Sequence, residues 1–281
     1  MKRATHPERI QRVVGYLADH LDEELDLEAV ARVAHFSPYH FHRIYRAAIG
    51  ETVNDTVRRL RLRRAALDLL DRKLSIDRVA RRAGYSSQAT FTRAFCAEYG
   101  EPPARYRGAL QVAEIQRTNN PTLYRVESVV LPKLRVAAIH HRGDYQLTSK
   151  AFERLMTFAA TTGLLKPTTR TFGIYRDDPV SVPEHDLRST ACITVPDEWE
   201  PSGDVVEAHV DGGRYARIVH VGPYPELRAA YDWLYQTWLP TGGEEPRDLP
   251  CVEEYLNDPR QVAAKALETA VMMPLEERPN L

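Results

Sequence analysis

The chain has 281 residues, 43% of them hydrophobic and 27% charged, and its formal net charge is −1. This composition is typical of folded protein and excludes a disordered or collagen-like chain, and the length suggests about two domains. No run of about 18 apolar residues occurs and charges are spread through the first 30 residues, so we expect neither a membrane span nor a signal peptide. Cys96, Cys192 and Cys251 lie far apart without a metal-binding spacing, which predicts a cytoplasmic protein without disulfides, metal or cofactor.

Charge is distributed unevenly along the chain. Residues 1–110 contain 20 Lys and Arg against 14 Asp and Glu, whereas residues 111–281 contain 18 against 25. Of the first 20 cations, 18 are Arg, whose planar guanidinium binds phosphates and guanine edges through paired hydrogen bonds. This asymmetry indicates that only the first part contacts a polyanion. The alternative is a solvated surface of salt bridges.

The first 110 residues show helical periodicity and an internal repeat. Asp26 and Ser75 each precede a short apolar pattern that is typical of a capped helix. A tight turn and a longer helix follow in both copies. The longer helices match at an offset of 50 residues, which pairs Phe41 with Phe91, Arg43 with Arg93, Tyr45 with Phe95 and Gly50 with Gly100. Residues 1–110 are therefore predicted to form an all-α domain with two helix-turn-helix units.

Each of the two longer helices has a polar face opposite its apolar face. These polar faces carry Tyr39, His42, Arg43 and Arg46 in the first copy and Ala89, Thr92, Arg93 and Cys96 in the second, and Gln88 stands at the amino end of the second helix. Arg and Gln commonly bind base edges, which recognition helices contact near their amino ends. Two copies with Arg in register favour DNA binding. The alternative is a pair of helical hairpins whose polar faces meet only water.

A predicted helix from Asn54 to Arg72 connects the two units. At about 1.5 Å per residue it spans roughly 27 Å, which is near the ~34 Å spacing of successive major-groove openings. Its arginines are Arg58, Arg59, Arg61, Arg63 and Arg64. We expect them either to contact phosphates or to pair with Asp55 or Asp68.

The second part of the chain has a different pattern. Residues 111–124 lack periodicity and contain the turn-forming cluster Thr118-Asn119-Asn120-Pro121, which predicts a linker. In residues 125–281, strand patterns at 125–131, 134–140, 171–175, 190–195, 215–221, 251–256 and 267–273 surround two helical patterns, one around Phe152 and one at 227–238. A duplicated strand-helix-strand-strand unit is predicted, which gives an α+β domain with a ligand groove at the junction of its halves.

The late strand at 251–256 carries the candidate ligand-binding residues. Alternation along a strand places Glu253 and Tyr255 on one face, and Tyr175 is the repeat counterpart of Tyr255. Tyr145 and Tyr224 also correspond, because each follows a His-x-Gly sequence. A carboxylate beside aromatic rings suits a lipophilic cation. The alternative is that Glu253 faces solvent and the tyrosines belong to the core.

Residues from about 5 to 108 resemble the DNA-binding domain of the AraC/XylS family. The matching motifs are Ser37-Pro38-Tyr39-His40-Phe41-His42-Arg43, Val79-Ala80, Gly84-Tyr85, Thr90-Phe91-Thr92-Arg93-Ala94-Phe95, Gly100, Pro102-Pro103 and Tyr106-Arg107. The resemblance implies that the two recognition helices enter adjacent major grooves. The residues that it implies contact bases are Tyr39, His42, Arg43, Gln88, Ala89, Thr92 and Arg93. Ala89 departs from the pattern because it lacks a polar group, so its contact is limited to a thymine methyl.

Residues from about 125 to 278 resemble the GyrI-like effector-binding domain. The matching motifs are Val136-Ala137-Ala138-Ile139-His140-His141-Arg142-Gly143-Asp144-Tyr145, His220-Val221-Gly222-Pro223-Tyr224 and Glu253-Glu254-Tyr255-Leu256-Asn257-Asp258-Pro259. In this family a Glu on the late strand lies in an aromatic cleft that often accepts amphipathic cations, which implies that role for Glu253. The order of the two domains is similar to that of Rob-like regulators.

Together these features predict a sequence-specific transcriptional regulator that is not an enzyme. Its expected partners are double-stranded promoter DNA, RNA polymerase and a small hydrophobic or cationic effector bound by Glu253, Tyr255, Tyr175, Tyr145 and Tyr224. Two alternatives stay open for the carboxyl-terminal domain. One is hydrolysis of electrophilic natural products with Glu253 as a base, and the other is docking of a partner protein.

Overall fold

A computed structural model describes residues 6–23, 26–71, 73–108 and 124–277 of the chain. The predicted linker at 111–124, with its Thr118–Pro121 cluster, lies outside these residues except for Tyr124. The described ranges form a helical amino-terminal domain and a carboxyl-terminal domain built on one eight-stranded sheet. The predicted division into an all-α part and a strand-rich part with helices therefore agrees with the structure.

The amino-terminal domain consists of short helices joined by tight turns. They are α1 His6–Asp19, α2 Leu27–Val33, α3 Pro38–Ile49, α4 Val53–Asp68, α5 Ile76–Arg82 and α6 Gln88–Tyr99, and residues 103–108 are also helical. The caps explain several of these boundaries. The Asp26 carboxylate accepts hydrogen bonds from the amides of Glu28 and Ala29, and the Ser75 hydroxyl accepts one from the amide of Arg78. Both predicted caps are confirmed.

One difference from the prediction and one shared feature concern helix ends. The connecting helix α4 ends at Asp68 and not at Arg72, because the chain turns there: the amide of Lys73 donates to the Asp71 carboxylate at 2.8 Å. At 16 residues, α4 spans about 24 Å. Helices α3 and α6 both end at a glycine, Gly50 and Gly100, with φ of 86° and 80°. Glycine adopts this left-handed conformation without a Cβ penalty, so the matching glycines terminate the two recognition helices in the same way.

Each helix-turn-helix unit has its own apolar core. Phe41 and Tyr45 of α3 are fully buried, with ring centroids 5.8 Å apart. Phe91 and Phe95 of α6 occupy the same positions in the second unit, fully buried and 5.4 Å apart. Burial of one face of each helix leaves the opposite stripe at the surface, as the helical period requires.

The carboxyl-terminal sheet is entirely antiparallel. Its strands are β1 Glu127–Leu131, β2 Leu134–Arg142, β3 Thr171–Tyr175, β4 Arg188–Thr194, β5 Val206–Val210, β6 Gly213–Val221, β7 Cys251–Tyr255 and β8 Glu268–Pro274. They lie in the order β1-β6-β8-β7-β3-β4-β2-β5. Strand β5 is absent from the sequence prediction because it is an edge strand of mostly exposed residues, without a buried face to produce alternation.

Helices cover one face of this sheet. Helix α7, Thr148–Thr162, packs with Leu155 against Ile139 and Ile193 on β2 and β4. Helix α8, Leu227–Trp233, packs against β6, β7 and β8 through the fully buried Ala230 and Trp233. The predicted helix at 227–238 is therefore interrupted, because a π-helical turn, Leu234–Trp238, follows α8 and leads into α9, Leu239–Gly242.

The pairing of β3 with β7 joins the two halves of the sheet. The first half, called the α7 half, comprises β3, β4, β2 and β5 with α7, and the α8 half comprises β7, β8, β6 and β1 with α8. In the β3–β7 register, Gly173 lies opposite Glu253 and Tyr175 lies opposite Cys251. The candidate ligand-binding residues therefore meet at this seam.

None of the helices in the described part of the chain combines the length and the apolar character that a membrane crossing demands.

The two helix-turn-helix cores provide a test of the internal repeat. Phe41→Ala and Phe91→Ala each remove a fully buried ring, so each is expected to lower the free energy of unfolding by about 3–5 kcal/mol in urea denaturation. His42→Ala and Arg93→Ala alter exposed neighbours and should stay within about 0.5 kcal/mol of the wild type. A loss below about 1 kcal/mol for either phenylalanine would contradict the assigned core.

Candidate functional site

Helix α3 presents its predicted polar face at the surface. His42, Arg43 and Arg46 are exposed, on the side of α3 opposite the buried Phe41 and Tyr45. Tyr39 belongs to the first turn of α3, but its side chain lies outside the described residues.

Helix α6 presents the corresponding face of the second unit. Gln88, Ala89 and Arg93 are exposed and Thr92 is half-buried. These four residues line one surface concavity of about 610 Å³. The Ser87 hydroxyl caps the helix by accepting a hydrogen bond from the amide of Thr90 at 3.2 Å, which fixes the first turn that carries Gln88 and Ala89.

The arginines of the recognition helices differ from those of the connecting helix in their contacts. Within the described ranges, Arg43, Arg46 and Arg93 form no salt bridge, so their positive charges remain available to a partner. The connecting helix behaves differently: Arg58 pairs with Asp55, Arg59 with Glu51 and Glu153, Arg63 with Glu153, Arg64 with Asp22, and Arg61 donates to the carbonyls of Leu21 and Glu23. Of the two arrangements expected for these arginines, pairing within the protein is the one observed. Asp68 pairs with Arg82 instead.

Glu253 is a buried carboxylate at the seam of the sheet. Its side chain projects from β7 toward α8 and only 4% of the residue is exposed. The hydroxyl of Tyr231 donates to its Oε1 at 3.0 Å and the hydroxyl of Tyr255 donates to its Oε2 at 2.8 Å. Burial raises the pKa of Glu253 to about 7, and the hydrogen bonds from Tyr255 and Tyr231 oppose that rise. The interpretation of Glu253 as a solvent-exposed residue is therefore wrong.

The neighbouring carboxylate points to the opposite face of the sheet. Glu254 accepts two hydrogen bonds from Arg170, at 2.7 and 2.9 Å. Glu253 and Glu254 thus both accept hydrogen bonds from side chains of the protein, so neither carboxylate needs to face solvent.

A glycine makes room for the hydroxyl groups around Glu253. The hydroxyls of Tyr175 and Tyr255 lie 2.9 Å apart above Gly173. A Cβ on Gly173 would lie 2.7 Å from the Tyr175 ring and 2.9 Å from the Tyr255 hydroxyl. No other residue type leaves this space, because real Cβ contacts are essentially never shorter than 3.0 Å. The strand position opposite Glu253 therefore carries no side chain, and the tyrosine hydroxyls fill that position.

Further aromatic rings surround the tyrosine pair. Tyr145 packs edge-on against Tyr175 with centroids 5.0 Å apart, and Tyr224 packs in the same way against Tyr255 at 5.4 Å. The five predicted residues therefore form one connected cluster. Tyr145 joins the cluster through the Tyr175 ring, and its hydroxyl bonds to the backbone of Asp177 at 2.9 and 3.0 Å.

Two residues of this cluster were not among the predicted site residues. Tyr231 on α8 donates to Glu253, and Phe152 on α7 packs edge-on against Tyr255 at 5.1 Å. The sequence pattern assigns both to the apolar faces of their helices, which is where they lie. One signal identifies Tyr231 as a site residue: it carries a hydroxyl on the face of α8 that covers the buried Glu253.

The described residues contain no group of three or more His, Cys, Asp or Glu side chains arranged to hold a metal ion. The histidines of the two His-x-Gly sequences have other partners: His141 Nε2 lies 3.0 Å from the carbonyl of Asp144, and His220 Nδ1 lies 3.0 Å from the hydroxyl of Tyr124. The Glu253 cluster therefore offers a carboxylate that can bind a proton and that aromatic rings surround.

Comparison with known proteins identifies both domains. Residues 125–276 match the family described as "GyrI-like small molecule binding domain", and residues 30–109 match a helix-turn-helix domain. The "Probable transcriptional regulator YgiV" of Escherichia coli K12 is 30% identical over 155 residues, which cover 53% of this chain and 95% of that protein. The regulatory protein SoxS of the same strain is 31% identical over 106 residues, which cover 38% of this chain and 99% of SoxS.

A solved structure aligns with most of the chain. The cryo-EM structure described as the EcmrR–DNA complex in EcmrR-RPo aligns with 90% of this chain and 99% of its own, with 17% identity and a TM-score of 0.48.

The two matched domains define the class of protein, a transcriptional regulator with a DNA-binding helix-turn-helix domain and a small-molecule-binding domain. The chain belongs to the GyrI-like family and carries an AraC-type helix-turn-helix domain at its amino-terminal side.

The pKa of Glu253 generates a prediction about stability. In the folded state it is about 7, above the value of about 4.3 for an unfolded chain, so the folded protein binds more protons between these two values. The stabilisation is present at low pH and is lost as pH rises toward 7. Between pH 5 and pH 8 the free energy of unfolding of the wild type should fall by about 2–3 kcal/mol more than that of Glu253→Gln.

Chemical denaturation at several pH values measures this difference. All other titrating groups are common to both proteins, so the comparison isolates Glu253. Parallel curves for the two proteins would show that its carboxyl does not titrate in this range.

Proposed function

We propose that the chain is a ligand-responsive transcriptional regulator. Helices α3 and α6 enter adjacent major grooves of promoter DNA, and the Glu253 cluster binds a small hydrophobic effector, preferably a cation. The main support is one contrast among the charged groups. Arg43 and Arg93 are exposed at matching positions and form no salt bridge with any residue that the structure describes. In contrast, Glu253 is buried among aromatic rings.

The DNA-binding part of the proposal follows from these arginines. A guanidinium bonds to the N7 and O6 atoms of guanine through two parallel hydrogen bonds. Tyr39, His42 and Arg46 flank Arg43 on α3, and Gln88, Ala89 and Thr92 flank Arg93 on α6, so each helix offers a set of contacts to its own groove. Helix α4 joins the two sets within one chain, which permits a monomer to bind two successive half-sites.

The effector part follows from the protonation of Glu253. With a pKa of about 7, a large fraction of this carboxyl is protonated at neutral pH. A cation bound beside it stabilises the charged form, so binding releases a proton and gains an ion pair shielded from water. The rings of Tyr224, Tyr255 and Phe152 supply apolar contact and attraction between the cation and their faces.

Further parts of the proposal concern organisation and partners. We assign residues 1–110 to the DNA-binding domain, 111–124 to a linker and 125–281 to the effector-binding domain, which consists of two duplicated halves. RNA polymerase is the expected protein partner, and the cytoplasm the expected location. YgiV and SoxS support a regulatory role, since their names describe a probable transcriptional regulator and a regulatory protein.

The recognition helices are tested by single substitutions. Arg43→Ala and Arg93→Ala should each weaken specific binding by about 1–3 kcal/mol, because each loses a paired contact to a base. Gel shifts with a duplex selected from random sequence by the full chain measure the effect. Arg176→Ala, an exposed arginine of the effector domain, is the charge-matched control and should leave binding unchanged. Unchanged binding by both α3 and α6 variants would refute the assignment.

The effector site is tested with a matched pair of probes. Glu253→Gln should weaken binding of tetraphenylphosphonium, a lipophilic cation, roughly ten- to hundredfold, since a charge-assisted contact is worth about 1.5–3 kcal/mol. The neutral triphenylphosphine oxide should lose less than about threefold. Isothermal titration calorimetry gives both affinities.

Glu254→Gln is the control, because Glu254 points to the other face of the sheet and pairs with Arg170. It should leave both affinities unchanged. An equal loss of both probes in Glu253→Gln would contradict charge pairing. Chemical consumption of an electrophilic ligand by the wild type but not by Glu253→Gln would favour the alternative function, hydrolysis with this carboxylate as the base.

A further inference from the structure

Each helix-turn-helix unit contacts a different half of the effector domain. In the first unit, α1 and α3 pack against α7, and Lys150 Nζ lies 2.8 Å from Asp19 Oδ1. In the second unit, α6 contacts the turn Ala264–Ala266 between β7 and β8, and Ala264 packs against that unit's core. The seam with Glu253 lies between these two halves. A shift of one half relative to the other therefore moves the two recognition helices relative to each other.

One carboxylate of α7 anchors the connecting helix of the DNA-binding domain. Glu153 Oε1 accepts hydrogen bonds from Arg59 at 2.5 Å and from Arg63 at 3.0 Å, and Oε2 accepts a second bond from Arg59 at 3.1 Å. The side chains of Arg59 and Glu153 are only 9% and 15% exposed. Burial raises the pKa of Glu153, but the charges of Arg59 and Arg63 outweigh burial and hold it below the usual value. The carboxylate is thus charged, and it accepts hydrogen bonds from two arginines of α4.

The residue before Glu153 belongs to the effector site. Phe152 packs edge-on against Tyr255, whose hydroxyl donates to Glu253. Neighbouring positions of one helix therefore contact the effector site and the DNA-binding domain. A ligand that displaces the Phe152 ring acts on the same turn of α7 that holds Glu153.

On the other side, the contacts continue into the first recognition helix. Arg59 also pairs with Glu51 at 2.7 Å. Glu51 accepts a hydrogen bond from the Thr56 hydroxyl at 2.8 Å, and that hydroxyl lies 2.9 Å from the hydroxyl of the buried Tyr45 on α3. An unbroken series of polar contacts joins Glu153 to the core of the helix that carries Arg43.

We propose that the cluster of Arg59, Arg63 and Glu153, here called the interdomain clasp, holds the first helix-turn-helix unit on α7 and transmits occupation of the Glu253 site to the DNA-binding surface. This inference rests on the proposed function, since it requires an effector at Glu253 and DNA on α3 and α6. The clasp suits this role because breaking a buried ion pair leaves uncompensated charge, so the contact is either made or lost and has few intermediate arrangements.

Reciprocal binding measurements on the full chain test the clasp. The affinity for tetraphenylphosphonium is measured by calorimetry with and without a saturating duplex selected by the wild-type chain. Coupling between the two sites should change the affinity of the wild type at least about fivefold, in either direction. Glu153→Gln keeps the shape of the side chain but removes its charge. In this variant the probe affinities with and without the duplex should differ by less than about twofold.

Two further variants complete this experiment, one as a control and one as a second test of the clasp. Glu207→Gln removes an ion pair with Arg135 that lies within the effector domain, and it should retain the wild-type ratio. Arg63→Gln removes the Arg63–Glu153 contact from the DNA-binding side and leaves Arg59 paired with Glu51 and Glu153, so it should reduce coupling even if Glu153→Gln does not fold. A wild-type ratio in Glu153→Gln or in Arg63→Gln would overturn the proposal, as would a ratio near one in a wild type that binds both partners.

Hydrogen exchange separates failure of the clasp from failure of the proposed function. Without probe or DNA, backbone amides of residues 53–68 and 148–162 should exchange at least about tenfold faster in Arg63→Gln than in Glu207→Gln. Equal exchange would overturn the clasp whatever the chain binds. Faster exchange together with a wild type that binds no probe would support the clasp and reject the effector assignment alone.

Discussion

The antiparallel pairing of β3 with β7 is the constraint on which the effector domain depends. It joins the α7 half to the α8 half in the sheet, and its register sets Gly173 opposite Glu253. A slip of one residue would turn every side chain of one strand to the other face. Glu253 would then leave the tyrosine hydroxyls, and Glu254 would lose Arg170. The carboxylate tolerates burial only in the present register, because a buried acid without hydrogen-bond partners is strongly destabilising.

The arginines of the amino-terminal domain differ in their contacts according to the helix that carries them. Arginines on α4 are paired, and several of their partners lie in distant parts of the chain. Arginines on the exposed stripes of α3 and α6 have no ion pair within the described ranges. The domain thus leaves arginine charges on the exposed stripes of α3 and α6 and uses the arginines of α4 for contacts within the protein. The composition alone indicates the excess of positive charge, but only the structure separates the two groups.

Local patterns predict the helix-turn-helix units well. Asp26 and Ser75 act as caps, Gly50 and Gly100 end the recognition helices, and the apolar repeat forms two separate cores, since these features depend on residues within a few turns. Strand β5 escapes prediction because an exposed edge lacks alternation. Contacts over long distances also escape it: Glu153 has the pattern of an ordinary helix residue, and its partner Arg59 lies 94 residues away. Likewise, the faces of Glu253 and Tyr255 follow from strand alternation, whereas the hydroxyl from Tyr231 requires the packing of α8.

The π-helical turn at Leu234–Trp238 has a consequence for the length of its helix. A residue in an α-helix advances by about 100° around the axis, so a turn that holds an additional residue rotates everything beyond it by roughly that angle. Tyr231, before this turn, bonds to Glu253, and Tyr235, within it, approaches Cys251 at 3.2 Å, while Trp238 and Leu239 at its end still pack on the core. The residues at the two ends of this segment therefore face different parts of β7 and the core. Deleting one residue from the turn would preserve the contacts of one end and expose the side chains of the other end to water.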